Sequence, residues 1–207
     1  MFKSVIRKFG KYFDKIEAEN LSGFNDDLWN EINKRLQQLE FLYNQIYRRH
    51  SKCLELTLKE HRRVERLRKD LQIRSGSLTL QKTRESRKID RLMFQIEMDT
   101  ECFYYLAWRM MRALKRESFP GLGSLNCPGV RNVRNKLLEH PENRDSKVFV
   151  QSFGIGGEAG PTLKIERNNG QEAIFPDAGL WANARELRDV FERSLDRVLG
   201  PKKKSSH

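Results

Sequence analysis

The stretch "VRNVRNKLLEHP", residues 130–141, places Arg134 and Asn135 shortly before His140 and closes on Pro141. These residue types can process an RNA phosphodiester without a metal. A histidine can take the proton of a 2′-hydroxyl and return one to the leaving oxygen, while a fixed arginine stabilises charge developing on the phosphorus oxygens. Pro141 disfavours helical geometry at the residue before it, so a helix should end at His140. The imidazole would then sit at a C-terminus, where the macrodipole favours its protonated form and its charge can change near neutral pH. Arg134 lies about 240° around a regular helix from His140, so the two side chains do not share a face. They converge where the terminal turn unwinds or where a second protomer brings its own pair alongside. The same residues also suit a solvated, capped helix end, and that alternative stays open.

Other chemistries have less to work with. The chain has no nucleophile elbow, phosphate loop, HExxH or clustered carboxylate box. Of four histidines, His207 is the last residue, and His50 and His61 sit among basic residues. Gly154-x-Gly156-x-x-Ala159 superficially matches a dinucleotide fingerprint, but Pro161, Thr162, Leu163 and Ile165 follow as a strand pattern, with no helix to aim its amides at a pyrophosphate. Cys53, Cys102 and Cys127 are an odd set without CxxC spacing, which fits a reducing, cytoplasmic setting better than a disulfide framework or zinc site. The expectation is therefore no metal and no cofactor.

Charge points toward polyanions. Lys and Arg number 40 against 28 Asp and Glu in 207 residues, a formal +12 that attracts RNA, DNA or an anionic surface. Arg131 and Lys136 flank the motif. Arg62, Arg63 and Arg66 stand within "RRHSKCLELTLKEHRRVERLRK", and these five are the candidate nucleic-acid contacts. Glu55, Glu60, Glu65 and Asp70 make that second stretch a mixed face that is equally consistent with simple solvation.

The elements that must carry these residues are mainly helical. Neither Gly nor Pro occurs between Gly23 and Gly76, nor between Gly76 and Pro120, as expected of long helices. Trp29, Ile32, Leu36, Leu39, Tyr43 and Ile46 recur at steps of three and four, as do Ile89, Leu92, Met93, Ile96, Phe103, Leu106, Met110 and Leu114, a face that Cys102, Tyr105 and Trp108 reinforce. An unbroken helix over 26–74 would be about 70 Å long, beyond the span of a compact domain of this size, so a break is expected near residues 48–52. Phe2, Val5, Ile6, Phe9, Phe13 and Ile16 line one face of a first helix. That face suits a bundle partner better than a membrane surface, and no apolar run approaches the ~20 residues of a membrane span.

Beyond Pro141, "KVFVQSF" and "PTLKIE" read as strands, and "NNGQ" as a tight turn before "EAIF". A last helix places Trp181, Ala184, Leu187, Phe191, Leu195 and Val198 on one face. The expected architecture is mainly α: an antiparallel helical bundle over 1–141, a small β-hairpin lobe and C-terminal helix packed on it over 142–200, and a disordered basic tail over 201–207.

With this arrangement, "RNKLLEHP" resembles the signature of the HEPN superfamily (higher eukaryotes and prokaryotes nucleotide-binding). Its members are helical bundles with an arginine, usually followed by a polar residue, a few positions before a histidine. The resemblance implies a cytoplasmic RNA-binding protein, and in the family's ribonucleases it implies metal-independent cleavage at a cleft shared by two protomers. Arg134 would be the phosphate-stabilising cation, Asn135 an orienting group and His140 the general acid/base. It further implies a homodimer and an antitoxin-like or defence-system partner. Some relatives act instead as non-catalytic bundles, so a scaffold module binding nucleic acid or an acidic protein is the second expectation.

Overall fold

A computed structural model describes residues 1–19, 26–70, 83–116, 119–139, 146–151, 160–167, 172–174 and 179–200. His140, Pro141, the turn around Gly76, the glycine-rich piece 152–159 and the tail 201–207 lie outside the described residues. The elements run α1 (Lys3–Ala18), α2 (Asp26–Asp70), α3 (Arg84–Arg116), α4 (Pro128–Glu139), β1 (Ser146–Gln151), β2 (Thr162–Arg167), β3 (Glu172–Ile174) and α5 (Leu180–Leu199). The protein is mainly helical. Among the described residues no helix is long and apolar enough to cross a membrane.

The break expected near residues 48–52 does not occur: α2 is continuous for 45 residues. Compactness does not forbid it, because α3 runs antiparallel beside α2 and keeps its apolar stripe covered. Arg49 is ion-paired with Asp99, His50 and Cys53 are buried, and Thr83 Oγ1 donates to Glu60 Oε1 at 2.6 Å. A break at His50 would expose that seam. Thr83 also caps α3, accepting from the Ser86 amide at 3.0 Å. Asp26 and Asp27 in the first turn of α2 and Arg68 and Lys69 in its last complement the helix dipole.

The apolar face of α1 is covered within the bundle and does not lie on a surface. Phe9 stacks on Trp29 with centroids 6.2 Å apart and meets Phe191 of α5 edge-on at 6.1 Å. Tyr12, rather than Phe13, takes the core position, because its hydroxyl finds the Pro120 carbonyl at 3.0 Å. Ser4 bonds Glu192, and Lys8 reaches Asp196 at 2.7 Å, so α1 and α5 run in the same direction. Burial works against the Glu40 charge, yet hydrogen bonds from the Met1 amino group, the Phe2 amide and Asn44 outweigh it and hold the carboxyl below its usual range.

Trp181 wedges the start of α5 against α2, with Tyr43 at 5.1 Å, Tyr47 at 5.8 Å and His50 at 5.8 Å. Two residues on, Asn183 donates to the buried Tyr104 hydroxyl at 2.8 Å. One core cluster runs from Phe2 to Leu195 and takes in residues of all five helices. The strands form an antiparallel meander in the order β1-β2-β3, with Val148 opposite Ile165 and Ile165 opposite Ala173, one strand more than a hairpin. β1 lies against α3 and α4.

The core positions of α2 end at Leu56, and those of α3 begin at Ile96. Beyond them the two helices continue as a paired arm, about 20 Å long at 1.5 Å per residue, along which Ile89, Leu92 and Met93 are only partly buried. Leu54, Leu58, Phe94 and Met98 remain exposed near its base.

Candidate nucleic-acid interface

Trp108, Arg112 and Lys115 fall at steps of four and three on α3, so they form one stripe of that helix. Between α3 and α4 the chain turns tightly: the Phe119 carbonyl accepts from the amides of Leu122 at 3.0 Å and Gly123 at 3.1 Å. Gly121 has φ +71°, and a Cβ there would meet Val198 Cγ2 at 2.3 Å, so the turn closes against the end of α5. This returns the chain for α4 to run back along α3, one turn separating Arg131 from Arg134 on its surface.

The Arg134 guanidinium carbon lies 3.7 Å from the Trp108 ring centroid, and that of Arg112 lies 5.2 Å from the same ring. Arg134 Nη1 also donates to Asn135 Oδ1 at 3.0 Å, while its Nε is buried with no hydrogen-bond partner among the described residues. Arg134 is thus held by packing, and Arg112, on an exposed position, is the looser of the two.

Two cavities meet at this indole. The larger, about 430 Å³, is bounded by Trp108, Arg112, Lys115, the 123–127 turn and Arg131. The smaller, about 290 Å³, lies between α2 and α3 and shares Trp108 and Arg112, with Glu31, Arg35 and Arg109 also lining it. Arg35 is engaged by Glu31. Among the described residues no carboxylate pairs with Arg109, Arg112, Lys115, Arg131 or Arg134. An aromatic ring among cations that no described carboxylate pairs can serve a nucleic-acid strand, with cations for phosphates and a π-face for a base.

Cys127 lies on the wall of the cleft as a thiol. Burial, with a smaller push from Glu186 that Arg193 partly offsets, raises that thiol to about 12. Among the described residues no three His, Cys, Asp or Glu side chains gather as metal ligands.

The candidate residues from the sequence divide between two places. Arg131 lines the larger cavity, and Arg134, hydrogen-bonded to Asn135, packs on the Trp108 ring that also lines it. His140 and the side chain of Lys136 lie outside what is described. Arg62, Arg63 and Arg66 stand on the arm, about 40 Å along α2 from Arg35 at 1.5 Å per residue. There Arg63 is paired with Glu60, while Arg62 and Arg66 are exposed. Trp108, Arg112 and Lys115 are not among the sequence candidates, because Trp108 falls in with the apolar face of its helix. The missed signal is the i, i+4 step from Trp108 to Arg112 in "WRMMRALK".

No protein-family model, curated protein or solved structure matches the chain.

Proposed function

We propose that this chain is a HEPN-like RNA-binding protein whose RNA lies in the cleft between α3 and α4, with metal-independent cleavage by Arg134 and His140 as its activity in a toxin–antitoxin or defence setting. The observation that carries the binding part is the Trp108 indole under two guanidinium groups, beside Lys115 and Arg131 and with no described carboxylate paired to any of them. The resemblance of "RNKLLEHP" to the superfamily signature carries the catalytic part.

Binding is tested by titrating RNA at several salt concentrations. Each phosphate contact in a single strand contributes about −0.7 to the slope of log K against log salt. Arg112→Gln, Lys115→Gln and Arg131→Gln are each expected to weaken binding and flatten that slope by about this amount, while Arg62→Gln, about 40 Å away, leaves it nearly unchanged. If the triple cleft variant binds as the wild type does and Arg62→Gln with Arg66→Gln does not, the RNA lies on the arm and the cleft assignment fails.

A homodimer belongs to the same proposal, since a second protomer is one way to bring an Arg134 and a His140 to one phosphate. Light scattering at tens of micromolar is expected to give twice the chain mass, because an interface of standard size holds at that concentration. A monomer throughout the range removes the dimer.

One observation favours a second reading. Arg134 already has a ring and a neighbour to hold it, and such an arginine can serve packing alone. In that case the chain is a non-catalytic scaffold whose basic cleft engages RNA or an acidic protein partner.

A further inference from the structure

We infer that an unpaired nucleobase of a single RNA strand stacks on Trp108 in place of Arg112, and that the displaced guanidinium passes to the adjacent phosphate. This rests on the RNA reading above and adds to it the strandedness of the ligand and the position of one base.

The two guanidinium groups on the indole are not equivalent. Arg134, at 3.7 Å, is at contact distance, comes from a different helix and is tied to Asn135. Arg112, at 5.2 Å, is more distant and exposed, and its stem rises from the same helix one turn beyond the ring. An exposed cation over a ring contributes about 0.5–1 kcal/mol, whereas a base stacked on an aromatic side chain contributes about 1–3 kcal/mol. A base therefore outcompetes Arg112 for the ring but not Arg134, whose departure would also empty a half-buried site.

Arg112 exchanges its contact with the ring for one with a phosphate. The larger cavity and the smaller one are both lined by Trp108 and Arg112, so moving this side chain changes the wall of both. Lys115 and Arg131 line the first space and Arg109 the second, where Arg35 engages Glu31, and Arg112 is then free to meet the phosphate next to the stacked base. The larger cavity, about 430 Å³, has room for one nucleotide inserted edge-first. A base in a duplex has both faces occupied by its neighbours and cannot enter. Stacking reads the π-face and not the base edge, so selection is for single strands and is tolerant of sequence.

The test is a fluorescence titration with a twelve-residue oligouridylate and with an RNA duplex of the same length. Binding of the single strand is expected to quench tryptophan emission. Trp108→Phe should keep single-strand affinity within about threefold and lose that quench, since Trp29 and Trp181 sit in the aromatic packing of the bundle. Trp108→Leu should lose about tenfold or more for the single strand, the equivalent of one stacked base, with little change for the duplex. Arg112→Gln should weaken both ligands. If the quench persists in Trp108→Phe, or if Trp108→Leu folds and binds the single strand like the wild type, the stacking inference is overturned and the RNA reading stands. Should Trp108→Leu fail to fold, the Trp108→Phe quench alone decides. If neither RNA binds at tens of micromolar, the RNA reading and this inference fall together.

Discussion

Cleavage of RNA by the purified protein is expected to continue in EDTA and to leave a 2′,3′-cyclic phosphate and a 5′-hydroxyl, and His140→Ala is expected to reduce it to background. The 2′-oxygen attacks phosphorus as its proton leaves to the histidine. The bond to the 5′-oxygen then breaks, and that oxygen takes up a proton. One residue alternating between base and acid suffices, and each proton transfer contributes typically 10²- to 10⁴-fold. Arg134→Ala is expected to cost about a hundredfold or more in rate through lost charge stabilisation. The contact with Trp108 adds a second, separable effect: the same substitution removes a guanidinium packed on a ring and lowers stability by about 1 kcal/mol. Arg134→Lys keeps the charge but not the flat fork, so it should recover part of the stability and little of the rate. His50→Ala tests general fragility, because His50 is buried against Trp181 and lines neither cavity at Trp108. Cleavage that depends on added metal, or that survives in His140→Ala, removes the nuclease and leaves the scaffold.

Gly160→Ala should produce the largest loss of stability. Gly160 has φ +69°, which costs a residue with a Cβ about 1 kcal/mol, and its added carbon would lie 2.3 Å from Trp181 Nε1. That indole has nowhere to go. Tyr43, Tyr47 and His50 hold it from the α2 side, and the Leu180 amide is fixed to the Pro161 carbonyl at 3.0 Å. Combining strain and clash, we expect a loss of about 3 kcal/mol and a fall in melting temperature of about 10 °C for a chain of this length. Gly10→Ala is the contrasting case: nothing lies within 4 Å of its added carbon, and a glycine inside a helix costs about 1 kcal/mol, so it should raise the melting temperature. Thermal unfolding followed by circular dichroism measures both, and a Gly160→Ala protein that melts with the wild type would show that Trp181 is not held as described.

The helices were legible in the sequence because their evidence is local. Gaps between glycines and prolines, together with apolar steps of three and four, are properties of one segment at a time. The continuity of α2 was not legible, because the limit on its length assumed a compact body, and the partner that lifts the limit is a segment about fifty residues away, seen in the pairing of Arg49 with Asp99. The choice of Tyr12 over Phe13 failed for a similar reason, since the partner that makes the tyrosine suitable is a carbonyl at Pro120. In the site, Arg131, Arg134 and Asn135 could be picked out by their place in a short motif, whereas Trp108 could not. In sequence it is one more apolar residue on an apolar face, and its value lies in the cations that α4 brings to it.

The arm formed by the outer halves of α2 and α3 divides a single unbroken helix into two regimes of stability. Up to Leu56 its residues belong to the shared core, and opening there means losing the whole fold. Beyond Leu56 each turn is held by one neighbouring helix and by contacts such as that between Thr83 and Glu60. The cost of opening a turn of α2 therefore rises from Asp70 toward Leu56, where the core begins. The outer turns, which carry Arg62, Arg63 and Arg66, open at a lower free-energy cost than the turns below Leu56.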